Sequence, residues 1–210
     1  MSYKTLIVDD HFPVRIGIEI IVRSTLGYST LIRSAQNGTE ALMLLKDETF
    51  DIMISDINMP CTNAMHLTRE ALEMHPQIKI LIVSVNSPEI FAPLFRKEGV
   101  YGYVSKSASD LELKNAIKYL QLGKKYFPMD SFAQIKNKSN ISGNPFLLLS
   151  GQELAVVRLL IKGMGILEVS NELNISPSTA STYKHRIFKK LKIVSEMELY
   201  NLATAFDFMV

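Results

Sequence analysis

Cysteine is almost missing from this chain. Cys61 stands alone, so no internal disulfide can form. No apolar stretch reaches the roughly 18 residues that a membrane span requires. The opening MSYKTLIVDD holds only a short apolar run ending in two acids, which argues against a secretory signal. No G-x-G-x-x-G or Walker pattern follows a strand-like run, so a nucleotide-binding fold is not expected. Net charge is also slight, at +2. Together these absences predict a cytoplasmic protein without a membrane partner. Apolar residues, by contrast, make up 47% of the 210 positions, enough for a core that needs no metal or disulfide staple.

Apolar patterning divides the chain. The runs 5–8, 30–35, 51–55, 78–85 and 101–105 read as strands. Between them, apolar residues recur at spacings of three and four, as in Val14, Ile18, Ile21 and Val22. Five strands alternating with helices predict a parallel sheet covered on both faces. Ser109 and Glu112 form a capping-box pattern for the fifth helix, and Gly123 stops it. The pattern then fails over 129–147, a Ser-, Asn- and Lys-rich stretch expected to be a linker. Strand signals vanish after it. Helices are expected from Ser150 to Lys162, from Leu167 to Leu173, from Ser176-Pro177 to Leu191, and from Glu196 to Phe208. The expected domains are therefore 1–128 and 148–210.

Function gathers at the carboxyl ends of strands in open parallel sheets. Asp9 and Asp10 follow the first strand and Asp56 follows the third. If both strands are central, three carboxylates share one cleft and repel one another. Mg²⁺ suits such an all-oxygen site. Lys106, after the fifth strand, is a second source of positive charge, and Ser84 ends the fourth strand with a hydroxyl. An Asp-Asp pair after a strand can also be a simple helix cap. Acids, hydroxyl and lysine on four strand ends weigh against that reading.

Residues 1–125 resemble the receiver domain of two-component signalling, a flavodoxin-like fold. The resemblance rests on Asp9-Asp10, Asp56 with Met59-Pro60, Ser84, and Tyr103 three residues before Lys106. It implies that Asp56 accepts a phosphoryl group from a sensor histidine kinase. It further implies that Asp10, Asp56 and the Asn58 carbonyl hold Mg²⁺, with Asp9 acting partly through water, and that Lys106 and Ser84 grip the phosphoryl oxygens. Inward movement of Ser84 would then free space for Tyr103 to rotate. Two departures from the family pattern stand near the site. The segment 61–64 lacks the usual glycines, predicting a stiffer loop, and Val85 follows Ser84 where a small residue is usual, predicting narrowed access to Asp56 and slow phosphoryl chemistry.

Net charge in the second half is uneven. Five of its nine basic residues lie between Lys184 and Lys192, with no acid among them. From about Leu149 to Ala203 the chain resembles the LuxR-type DNA-binding domain. The matching residues include Glu153, Gly163, Val169, Ile175-Ser176, Ser178-Thr179, Ile187 and Lys190-Leu191. A receiver joined to this domain is a response regulator of the NarL/FixJ type. Helical spacing predicts that Thr179, Ala180, Tyr183 and Ile187 are buried. Ser178, Ser181, Thr182 and His185 then face outward to read base edges of double-stranded DNA. Lys184, Arg186, Lys189 and Lys190 would reach phosphates. Ser181 stands where relatives often carry a cation, so pairing of two copies on phosphorylation is expected to matter. A phosphatase using Asp56 as nucleophile would need an acid two residues later, where Asn58 stands. The expectation is a regulator and not an enzyme.

Overall fold

The computed structural model describes residues 3–60, 62–128, 144–206 and 208. The chain divides into two compact units, Met1–Phe132 and Ala133–Val210.

The first unit alternates β1 (Lys4–Val8), α1 (Phe12–Leu26), β2 (Leu31–Ala35), α2 (Gly38–Asp47) and β3 (Ile52–Ser55). It continues through α3 (Ala64–Met74), β4 (Lys79–Ser84), α4 (Pro88–Lys97), β5 (Gly102–Ser105) and α5 (Asp110–Gln121). All strands run parallel in the order β2-β1-β3-β4-β5, each within about a residue or two of its apolar run. The order puts β1 and β3 side by side in the middle, which explains why both lack polar alternation. Every residue of β3 is buried. One sheet face packs Ile7, Ile54, Leu81 and Val104 against Ile18 and Val22 of α1 and Ile117 and Leu120 of α5. Each fully buried side chain of this kind contributes about 1.5–3 kcal/mol.

Glycine is required at one edge position. A Cβ on Gly102 would lie 2.8 Å from both Leu81 Cδ1 and the Tyr126 carbonyl oxygen. That closeness lets the chain after α5 return along β5. Tyr103 N–H donates to the Tyr126 carbonyl, and Tyr126 N–H donates to the Tyr101 carbonyl. The return covers backbone groups that an edge strand would leave unpaired. Ser109 caps α5 by accepting from Glu112 N–H, as the sequence pattern predicts.

The second unit holds α6 (Gly151–Ile161), α7 (Ile166–Glu172), α8 (Pro177–Leu191) and α9 (Glu196–Ala205). Both halves of the Ser150–Glu153 capping box form. Asn174 takes a left-handed conformation, φ 52°, in the turn between α7 and α8. The unit's core gathers Val156, Val157, Leu160, Val169, Ala180, Ile187, Leu191, Leu199 and Leu202.

Two boundaries differ from expectation. Most of the expected linker, 129–143, lies outside the described residues. Its end does not behave as a linker: Pro145–Leu148 form a 3-10 turn with Phe146 buried. The Phe146 ring stacks on Phe208 at 4.2 Å and meets Phe206 edge-on. Those aromatic partners lie some sixty residues downstream, beyond any local pattern. The last helix stops at Ala205, short of the expected Phe208.

Candidate functional site

Main-chain pairing carries on past the strand ends and aims the acids. Asp9 N–H donates to the Ala35 carbonyl, Asp56 N–H to that of Val8, and Lys106 N–H to that of Ser84. Each residue is thus fixed by the same ladder that builds the sheet. Asp9 and Asp56 are buried, at 0% and 3% exposure. Lys106 Nζ donates to Asp56 Oδ2 at 2.6 Å and forms an ion pair with Asp9 Oδ2, also at 2.6 Å. Asp56 Oδ1 accepts from Ile57 N–H at 2.6 Å, and Asp9 Oδ1 accepts from His11 N–H at 2.9 Å. Asp10 stands at the mouth, its Oδ1 2.8 Å from His11 Nδ1.

Charge in this pocket does not balance. Burial by itself lowers the Lys106 ammonium, but the hydrogen bond to Asp56, then Asp9 and the two carboxylate charges, outweigh it and hold Lys106 above its ordinary value. One lysine contacts two buried acids, and Asp10 lies outside that pairing, so negative charge is left over. Among the described residues, ligand atoms of Asp9, Asp10 and His11 lie within 4.8 Å of one another. Two of these three donors are carboxylates, the ligand type that suits a hard divalent cation.

The switch candidates both bond to Asn86. Ser84 and Tyr103 are fully buried. Ser84 Oγ accepts from Asn86 N–H at 3.2 Å and from Asn58 Nδ2 at 3.5 Å. The Tyr103 hydroxyl donates to the Asn86 carbonyl at 3.0 Å.

Helix α8 of the second unit starts from Ser176, whose Oγ accepts from Thr179 N–H, with Pro177 in its first turn. Ser178, Ser181, Thr182, His185, Arg186 and Lys189 are exposed, while Ala180 and Ile187 are buried. Thr179 is exposed, contrary to expectation, because its hydroxyl joins the Ser176 cap at 2.8 Å. Tyr183 is only half-buried. The basic residues fall into two groups. Lys190 Nζ donates to the buried Glu153 Oε2 at 2.6 Å, and Lys184 pairs with Glu196. No carboxylate among the described residues pairs with Arg186 or Lys189.

The family described as response regulator receiver domain matches residues 5–118. The luxR family of bacterial regulatory proteins matches residues 147–203. This chain is a response regulator. It belongs to the NarL/FixJ type, a receiver followed by a LuxR-type helix-turn-helix domain. The response regulator GacA of Pseudomonas syringae pv. syringae (strain B728a) is 32% identical over 203 residues, covering 95% of this chain and 94% of its own. The response regulator UvrY of Escherichia coli (strain K12) is 31% identical over 205 residues, covering 95% and 93%. Among solved structures, RcsB of Salmonella enterica serovar Typhimurium shares the fold, with TM-score 0.68, 23% identity, and coverage of 98% of this chain and 100% of its own. A LuxR-family two-component response regulator from Aurantimonas sp. SI85-9A1 has TM-score 0.58 and 28% identity, covering 65% of this chain and 97% of its own.

In this response regulator Asp9, Asp56 and Lys106 meet through direct contacts, and Asn58 and Ser84 approach each other beside them. Two further residues were not singled out by sequence reasoning. His11 follows the acid pair directly, a signal that adjacency alone offered. Asn86 had none, because its side-chain partner Asn58 lies 28 positions away. Val85, next to Ser84, is exposed, at 66%. Cys61 lies outside the described residues. Its neighbours are tied down, Thr62 Oγ1 by accepting from Gly38 N–H and Asn63 by capping α3.

Proposed function

We propose that this response regulator is a phosphorylation-gated DNA-binding regulator of transcription, with Asp56 as the phosphoryl acceptor. The observation that carries the reading is Lys106 Nζ held 2.6 Å from carboxylate oxygens of both Asp9 and Asp56. A buried carboxylate beside a lysine, at a strand end and near a hydroxyl, is equipped to receive a group rich in negative oxygens. Phosphoryl transfer depends on positioning and charge neutralisation more than on covalent machinery. The donor is a sensor histidine kinase, the partner that the receiver family implies. In the transfer, the phosphorus–nitrogen bond of a phosphohistidine breaks, an Asp56 oxygen forms the new bond to phosphorus, and the bonding pair stays on the departing imidazole nitrogen, which takes a proton from solvent.

Carboxylates of Asp9, Asp10 and Asp56 and the main-chain carbonyl of Asn58 are the proposed ligands for Mg²⁺. When bound, the cation neutralises the negative charge shared by the acids and the incoming phosphoryl oxygens. Lys106 holds one phosphoryl oxygen and Ser84 another. Tyr103, already bonded to the Asn86 carbonyl, reports occupancy to the outer face of β4 and β5.

In the second unit, Ser178, Ser181, Thr182 and His185 are the proposed readers of base edges, and Arg186 and Lys189 the phosphate contacts. Exposure on one helix supports this. Lys184 and Lys190 were expected to contact phosphates, but both are engaged by acids of their own unit. Lys190 is better read as holding α8 against α6. With few cations left, one half-site binds weakly and two copies on one duplex gain avidity of roughly a hundredfold or more. RcsB structures with dimers on DNA, and with a promoter and a phosphomimetic, provide precedent in that protein. Phosphorylated homodimers in the cytoplasm complete the proposal. The proposed parts are a receiver at 1–128 and a DNA-binding domain at 148–210 to which the Pro145–Leu148 turn is added.

Genomic footprinting with and without a small phosphodonor tests the gating. Protection that strengthens with the donor supports it. Protection that is equal in both conditions contradicts it.

A further inference from the structure

We propose that Asn86 is a positioning residue that couples the loop after β3 to Tyr103. The proposal rests on the reading of Asp56 as the phosphoryl acceptor. Asn86 is fully buried and meets three site residues through three different atoms. Its N–H donates to Ser84 Oγ at 3.2 Å, its main-chain carbonyl accepts from the Tyr103 hydroxyl at 3.0 Å, and its side-chain Oδ1 accepts from Asn58 Nδ2 at 2.7 Å. The first two contacts use the main chain, and any residue at this position can make them. The third depends on the side chain and joins the loop carrying Asn58 to the loop carrying the Tyr103 acceptor.

Side-chain chemistry explains why an amide stands here. Asn86 Nδ2 finds no hydrogen-bond partner among the described residues. What the side chain supplies to its neighbours is therefore its acceptor, Oδ1. Aspartate would offer Asn58 the same acceptor with no orphaned donor. It would also bring a further carboxylate to a pocket that already holds Asp9, Asp10 and Asp56, and would oppose an incoming phosphoryl group. A leucine would keep the pocket neutral but leave Asn58 Nδ2 without this acceptor. Only an amide gives a neutral acceptor with two atoms of reach. The Asn58 loop therefore cannot shift without pulling on the segment whose carbonyl holds Tyr103. The coupling runs equally in the other direction.

The test uses the full chain carrying fluorinated tyrosine, with the Tyr103 resonance assigned by its loss in Tyr103→Phe. Mg²⁺ and a small phosphodonor are added, and labelling of Asp56 is followed by intact mass. In the unaltered chain the Tyr103 resonance is expected to move as label accumulates. Asn86→Ala is expected to label within about threefold of the normal rate while the Tyr103 response falls by about fivefold or more. Asn86→Asp is expected to restore the response yet label more slowly. A merely structural role would not split the two readouts in opposite directions. A normal Tyr103 response in Asn86→Ala overturns the proposal. So does joint loss of the response in Ala and Asp variants, or a resonance unmoved by labelling of the unaltered chain. If the unaltered chain takes no label at Asp56, the acceptor reading itself fails and takes the coupling with it.

Discussion

The two units treat their charged residues in opposite ways. The first buries Asp9 and Asp56 at strand ends and pairs both with one shared lysine. The second lays most of its polar and basic candidates on the open face of α8 and draws only Lys184 and Lys190 into ion pairs. Buried charge is expensive to leave unpaired, so each member of the first cluster is locked by main-chain ladders and direct contacts. Exposed charge costs little and stays available to a polyanion. The difference teaches where single substitutions act: in the pocket on chemistry, on the helix surface on affinity.

Lys106→Ala breaks the first half of that comparison most severely. It leaves two buried carboxylates without their cation, and labelling of Asp56 is expected to fall about 100-fold. Mg²⁺ should then raise the melting temperature more in the variant than in the unaltered chain. An equal rise in both would show that Lys106 does not neutralise the cluster. The sign of its pH linkage is set by its raised value: its contribution to stability is present below the ordinary lysine range and disappears as pH climbs through the raised one.

The Lys190–Glu153 pair sharpens the second half. The hydrogen bond from Lys190, then that from Ser150 N–H, holds the Glu153 carboxyl below the usual carboxylate range despite its burial. A lowered carboxylate stabilises above its unfolded value, and that stabilisation is lost as pH falls through the folded one. Lys190→Ala should destabilise the second unit by about 1–2 kcal/mol at neutral pH, a figure discounted because Lys190 is itself 42% exposed. The loss should shrink in acid. Urea melts at neutral and acid pH check it, and a loss that grows in acid would contradict the assignment.

On the exposed face, Arg186→Ala and Lys189→Ala should each weaken DNA binding about fivefold and reduce the salt slope by about one. Lys190→Ala should leave the slope unchanged once folding is ensured. Titrations across a range of salt concentrations separate these outcomes. The smallest effect is expected at Val85. With 66% of it exposed, Val85→Ala should change the labelling rate by less than about twofold. An increase of tenfold would restore the steric argument drawn from sequence.

Legibility in the sequence followed the same division. Strand ends were readable because apolar runs stop where acids, hydroxyl and lysine begin, and ladder geometry then brings Asp9, Asp56 and Lys106 together. Helix α8 was readable from Ser176-Pro177 and the burial of Ala180 and Ile187. What escaped depends on contacts far apart in the chain. Glu153 reaches Lys190 across 37 positions, and Phe146 reaches Phe208 from the other end of its unit. Asn86 meets Asn58 by fold topology alone. Thr179 failed for a local reason: helical period predicts burial, but in the first turn its hydroxyl serves the cap.

Intact mass after incubation with Mg²⁺ and a small phosphodonor tests the acceptor assignment most directly. The unaltered chain should gain one phosphoryl group, and Asp56→Asn should gain none under the same conditions. An Asp56→Asn chain that labels as fully as the unaltered one would contradict the account.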